Sequence, residues 1–139
     1  MNHYQPHEVK PAIGKTLLSA ELKPDSDTVI LKFSDSSELR IYVEGDCCSK
    51  SAFYGMEAVN CYGGQVLSIE ENVDFPEINK ETEEQAYQAA WHDPNSSYRG
   101  DCLCLGNILV RTTTGTLLLK EINDSNGYYS TMTSYSFSE

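Results

Sequence analysis

Apolar and polar residues alternate with a period of two along much of the chain. In Thr28–Phe33 the side chains of Val29, Leu31 and Phe33 fall on one face, and over 38–43 Leu39, Ile41 and Val43 alternate with Glu38, Arg40 and Tyr42. Successive side chains of a strand point to opposite faces, so this spacing predicts two half-buried strands. Ser34-Asp35-Ser36-Ser37 between them is turn chemistry, because short polar side chains bond their own backbone. Residues 16–23 ahead of this hairpin end at a second turn, Pro24-Asp25-Ser26-Asp27, and the three segments predict an antiparallel meander.

The middle of the chain is less regular. Phe53-Tyr54-Gly55-Met56-Glu57-Ala58-Val59 has no clean period and reads as a short helix or an irregular crossing. Gly63-Gly64 breaks the chain ahead of a strand over 65–70, where Val66, Leu67 and Ile69 are apolar, and Phe75-Pro76 closes that unit. Thr82-Glu83-Glu84-Gln85 has the spacing of a capping box and predicts one short helix with the stripe Tyr87, Ala90 and Trp91, stopped by Asp93-Pro94. After the polar loop 95–100 the strand period returns in 104–111, 116–122 and 128–137, separated by turns at Thr113-Thr114-Gly115 and 123–127. In the last strand Tyr129, Thr131, Thr133, Tyr135 and Phe137 share a side. The expected fold is α+β and mainly β: two antiparallel meanders forming a curled sheet or partly open barrel with one short helix. The expected organisation is a flexible N-terminal segment over 1–12 and a single β-rich domain over 13–139, with an insertion at about 74–101.

Length and charge narrow the function classes. A chain of 139 residues suits one domain with one core. The N-terminus Met1-Asn2-His3-Tyr4-Gln5-Pro6-His7-Glu8 is too polar for a secretion signal, and no apolar run approaches the roughly 18 residues of a membrane helix. A soluble, cytoplasmic protein with no membrane partner is expected. Twenty-one acidic against ten basic residues give a net charge of −11, which disfavours a sequence-independent grip on phosphate backbones. Glu70, Glu71, Asp74, Glu77, Glu81, Glu83 and Glu84 fall within fifteen positions, opposed only by Lys80. Such a cluster serves solubility, or it forms an acidic surface that meets a basic site on another protein.

The candidate chemistry is sparse. Five cysteines are an odd number without a regular framework of spacings, which predicts reduced thiols. The adjacent pair Cys47-Cys48 reads as small buried side chains, metal ligands or a redox pair. A structural zinc site uses two Cys-x₂₋₄-Cys knuckles, whereas Cys61 stands alone and Cys102 and Cys104 form one Cys-x-Cys, so zinc is disfavoured. His3 and His7 flank Pro6 in a polar terminus, and His92 beside Trp91 suits a cap on a helix dipole. There is no Gly-x-Ser-x-Gly elbow, no phosphate-cradling glycine loop and no histidine in a catalytic context, so neither an enzyme nor a cofactor is expected. Glu70-Glu71 is a carboxylate pair, but strand neighbours point to opposite faces and at most one can line a pocket. Nine tyrosines, Tyr87, Tyr128 and Tyr129 among them, fit either sheet packing or a recognition surface.

Several of these features occur together in one family. Ile13-Gly14-Lys15-Thr16, a hairpin with an aromatic second strand, Asp46-Cys47-Cys48, Gly64-Gln65-Val66-Leu67 followed by Glu70-Glu71, and Ser125-Asn126-Gly127-Tyr128-Tyr129-Ser130 resemble a small uncharacterised domain family of tailed bacteriophages and prophages, DUF7448. The resemblance covers most of the chain outside 74–101. Family members follow the cysteine pair with an acid, where this chain has Ser49 and Lys50. The resemblance implies a phage origin and a compact fold, and it assigns no catalytic residues. The resulting expectation is a non-enzymatic phage accessory protein in the cytoplasm of an infected bacterial host. It would contact a host or phage protein with a basic surface, as an acidic inhibitor of a host or antiviral defence factor. Its contact residues would be Glu70, Glu71, Asp74, Glu77, Glu81, Glu83, Glu84, Tyr87, Tyr128 and Tyr129. The alternatives are a virion or assembly component, and a thiol-dependent metal or redox protein centred on Cys47-Cys48.

Overall fold

A computed structural model of the chain describes residues 7–23, 27–44, 50–71, 103–124 and 132–139. Strands β1 (Leu17–Leu22), β2 (Thr28–Phe33) and β3 (Glu38–Glu44) form the expected meander, each antiparallel to the next. The turn between β2 and β3 works through Asp35, whose Oδ1 accepts hydrogen bonds from the Ser37 amide at 3.0 Å and the Ser37 hydroxyl at 2.5 Å. Ser36 takes a φ of 72°, a left-handed conformation available to few side chains. Strands β5 (Val66–Glu71), β6 (Leu103–Thr112) and β7 (Thr116–Asp124) form a second antiparallel meander. The mainly β class with curled antiparallel sheets is therefore the observed one.

Two strands complete the sheets in ways the period did not show. The irregular segment after the cysteine pair is β4 (Lys50–Val59), antiparallel to β7, and neither a helix nor a crossing. A bulge between Phe53 and Gly55 inserts Tyr54 as an extra residue, so Phe53 and Met56 both reach the core although they are three positions apart. That change of parity hid the strand in the sequence. The last strand, β8 (Met132–Ser138), is not the third strand of the second meander. It pairs antiparallel with β3, setting Tyr135 opposite Ile41 and Thr133 opposite Val43. The sheets are thus β1-β2-β3-β8 and β4-β7-β6-β5.

The sheets are stitched at one side. Gly14 donates to the Val66 carbonyl at 2.8 Å, Val66 to Lys15 at 2.9 Å, Leu17 to Gly64 at 2.9 Å, and Gly63 to Leu17 at 2.7 Å. The start of β1 therefore runs beside the start of β5, and the eight strands curl without closing into a barrel. Between the sheets lies one apolar core that includes Leu31, Phe33, Ile41, Phe53, Ile69 and Leu119. Each such side chain, fully buried, contributes about 1.5–3 kcal/mol relative to exposure. Bulges beside the stitch turn Leu18 and Leu67 outward, leaving them 53% and 56% exposed.

The N-terminal expectation is corrected in part. Residues 1–12 read as a flexible segment, yet His7–Ala12 form a 3-10 turn that packs on β8. Val9 and Ala12 are fully buried, and that burial is what orders the turn. The expected helix at Thr82-Glu83-Glu84-Gln85 and the 74–101 insertion lie outside the described residues.

Candidate functional site

Strand parity brings two carboxyls into the space between the sheets. On β7, Leu117, Leu119 and Glu121 share the inward face, and on β5 Glu71 follows Ile69 inward. Both strands thus end their apolar inner faces on an acid. From the opposite sheet, β8 turns Thr133, Tyr135 and Phe137 toward them, with Tyr135 and Phe137 packed on the core. The Tyr135 hydroxyl donates to Glu71 Oε2 at 2.5 Å, and the Thr133 hydroxyl donates to Glu121 Oε2 at 3.4 Å. Gly106 of β6 lies opposite Glu121, so no side chain of β6 stands at that position.

The electrostatics of this pair follow from burial. Glu121 is 7% exposed, and the loss of water pushes its carboxyl up to about 7. The nearby charge of Glu71 pushes in the same direction, and the Thr133 hydrogen bond opposes them. Glu71 is raised by burial first and by the like charge of Glu8 in the 3-10 turn, against the hydrogen bond from Tyr135. Tyr54, the bulge residue of β4, is raised by burial and by the charges of Glu57 and Glu121. Near neutral pH the cluster therefore holds a proton on a buried carboxyl, a donor that ordinary glutamates lose well below pH 6. Chemically it can exchange that proton and accept hydroxyl hydrogen bonds.

The sequence-predicted residues are distributed differently. Glu70 and Glu71 point to opposite faces, as adjacent strand residues must. Glu70 lies on the outer face with its Oε2 2.6 Å from Arg111 Nε and 3.2 Å from the Ser68 hydroxyl. Glu71 faces Tyr135 in the interior and forms no acidic ridge with Glu70. Asp74, Glu77, Glu81, Glu83, Glu84, Tyr87, Tyr128 and Tyr129 lie outside the described residues, as do Cys47, Cys48 and Cys102 and the side chain of Cys104. Cys61 is fully buried, and burial pushes its thiol up, which keeps it protonated and unreactive. Among the described residues no group of three His, Cys, Asp or Glu side chains is placed to hold a metal ion. No described helix is long and apolar enough to cross a membrane.

Glu121 was missed as a site residue, although its signal was present. Leu117, Leu119 and position 121 share one strand face, and an acid at the third position of an apolar face marks a buried carboxyl. Thr133 as its partner had no local signal, because β8 crosses to the other sheet.

Fold and site define a class: a mainly β domain of two curled antiparallel sheets with a carboxyl pair enclosed between them. Within that class the chain belongs to the family described as Domain of unknown function (DUF7448), whose family model matches residues 10–135. No curated protein and no solved structure matches it.

Proposed function

We propose that this is a phage- or prophage-encoded accessory protein that acts by protein contact in the cytoplasm of an infected bacterial host, without catalysis of its own. It presents negative charge to a basic surface of a host or antiviral defence factor and inhibits it by occupying the place of nucleic acid. The observation that carries this reading is the charge balance. Five of the ten basic side chains, Lys15, Lys23, Lys32, Arg111 and Lys120, are already held in ion pairs with acids of the same chain, against a total of 21 acids and a net charge of −11. The excess that faces solvent is therefore acidic, and a field of one sign steers association with a surface of the other.

The test is affinity capture from a bacterial lysate, identification by mass spectrometry, and association kinetics of the captured partner at two salt concentrations. Replacing Glu77, Glu81, Glu83 and Glu84 together with Gln is expected to slow association at low salt at least tenfold and to flatten its salt dependence. Screening shortens the Debye length from about 10 Å at 0.1 M to about 3 Å at 1 M. A partner that binds the neutralised protein as fast and as tightly as wild type at low salt refutes the reading.

A further inference from the structure

The outer face of the sheet β4-β7-β6-β5 is not built for water. The residues of β6 and β7 that turn away from the core are Leu105, Asn107 and Leu109, opposite Ile122, Lys120 and Leu118. Strand β4 adds Ala52 opposite Ile122. The inward residues of the same strands, Ile108, Val110, Leu117 and Leu119, already belong to the core between the sheets. Strands β6 and β7 are therefore apolar on both faces, the pattern of strands covered on both sides, whereas an antiparallel sheet with one face in water alternates apolar with polar. The other sheet does alternate, turning Glu21, Lys32, Arg40 and Ser136 outward around Ile30.

Burial agrees with the pattern. Ala52, Asn107, Leu109 and Ile122 are each no more than 4% exposed, and Ala52, Leu109 and Ile122 lie outside the core between the sheets. Every other described element belongs to the facing sheet or, as the 3-10 turn does, packs on it, so water is excluded here by another part of the same chain. Strands β5 and β6 are adjacent and antiparallel, and such neighbours need only about two to five linking residues. Residues 72–102 link them with 31, whereas the other stretches outside the described residues, 1–6, 24–26, 45–49 and 125–131, have seven or fewer. The long connection leaves from Glu71 and returns at Leu103, at the end of the sheet where Ala52 and Ile122 stand. It carries Val73, Phe75, Ile78, Tyr87, Ala90 and Trp91, apolar area that gains by leaving water.

We infer that the outer face of β4-β7-β6-β5 is the docking face of the chain's own connection 72–102, which makes this sheet the middle layer of three. The acids Asp74, Glu77, Glu81, Glu83 and Glu84 of that connection then meet a partner from this side of the molecule. That consequence rests on the protein-contact reading above, and the docking itself does not.

The chain's single tryptophan, Trp91, reports the docking with no partner present. In the full chain its emission should lie to the blue of that from a peptide of residues 72–102, and trypsin should cut at Lys80 and Arg99 about tenfold more slowly than in the peptide. Leu109→Lys, which places a charge in the middle of the face, should shift the emission to the red and speed both cuts about tenfold. Leu118→Lys, half-buried on the same face, is the milder second variant and should move both readouts in the same direction. Leu67→Lys, at an exposed position of β5, should change neither, and far-UV circular dichroism verifies that the sheets persist in all three. The docking is overturned by a wild-type emission as red as the peptide's, by cuts as fast as in the peptide, or by an equal response of Leu67→Lys and Leu109→Lys. An emission that reddens on dilution also overturns it, since the cover is then a second copy. Neutralising the acids and finding a partner still bound leaves these readouts unmoved, so the docking and the protein-contact reading fail separately.

Discussion

The tightest backbone approach in the described fold makes a sharp prediction. The β4–β5 turn and the β6–β7 turn lie against each other, and a Cβ added at Gly115 would stand 1.8 Å from the Val59 carbonyl oxygen and 2.8 Å from the Asn60 carbonyl carbon. A carbon and an oxygen need about 3.2 Å, so Gly115→Ala forces backbone apart by more than 1 Å with no flexible side chain to yield. Four bonds hold this place: Thr112 N–H to Gly115 O at 2.8 Å, Thr112 Oγ1 to Gly115 O at 3.1 Å, Gly115 N–H to Thr112 Oγ1 at 3.0 Å, and Thr114 Oγ1 to Asn60 O at 2.6 Å. Loss of two or three of them at about 1–1.5 kcal/mol each gives a destabilisation of about 2–4.5 kcal/mol. That is a large share of the roughly 5–15 kcal/mol of a domain this size, and it lowers Tm by about 5–15 °C. Gly55→Ala is the control, because its Cβ would meet only Lys120 Cδ at 3.9 Å, ordinary contact distance. It should cost less than about 1 kcal/mol or stabilise, since alanine narrows the unfolded ensemble. Urea denaturation followed by far-UV circular dichroism reads both. A loss below about 1 kcal/mol for Gly115→Ala, or equal losses for the two variants, refutes the packing of the two turns.

Further predictions concern the core and the buried acids. Glu121→Gln should gain on wild type in global stability by about 3 kcal/mol between pH 4.5 and 7.5, because the wild-type carboxyl, held at about 7 in the fold, destabilises progressively as pH rises through that window. Parallel urea titrations at the two pH values measure it, and a gain that does not grow with pH contradicts the burial of the charge. Phe53→Ala should cost about 3–5 kcal/mol as a cavity opens between the sheets, which thermal unfolding reads. Cys61 should resist alkylation in the native protein and react fully in urea, and peptide mapping by mass spectrometry that finds it labelled at native rates would place it at the surface.

Most of the strands were legible from the sequence for a plain physical reason. A strand buried on one face must repeat with period two, and β2, β3, β7 and the inner face of β8 carry that period in Val29, Leu31, Phe33, Leu39, Ile41, Leu117, Leu119, Thr133, Tyr135 and Phe137. The Asp35 turn was equally readable, because its hydrogen bonds are local to four residues. Strand β4 was not, since one extra residue at Tyr54 reverses the parity on which the reading depends. The separation of Glu70 from Glu71 followed from parity, but their fates did not, because Arg111 and Tyr135 come from distant strands.

The sequence by itself therefore determined the class of the fold, the positions of most strands, the inward side of β2, β3, β7 and β8, and the strongly negative charge. These depend on neighbours one to four residues apart and on simple sums. Only the tertiary structure decided that β8 leaves β7 for β3, that Val9 and Ala12 complete the core, and that Glu71 and Glu121 meet hydroxyls from the opposite sheet. Period two says which face a side chain occupies, never which strand lies beside or across from it. That choice is made by the packing of two whole sheets around one core, and the buried carboxyls take their properties from that packing.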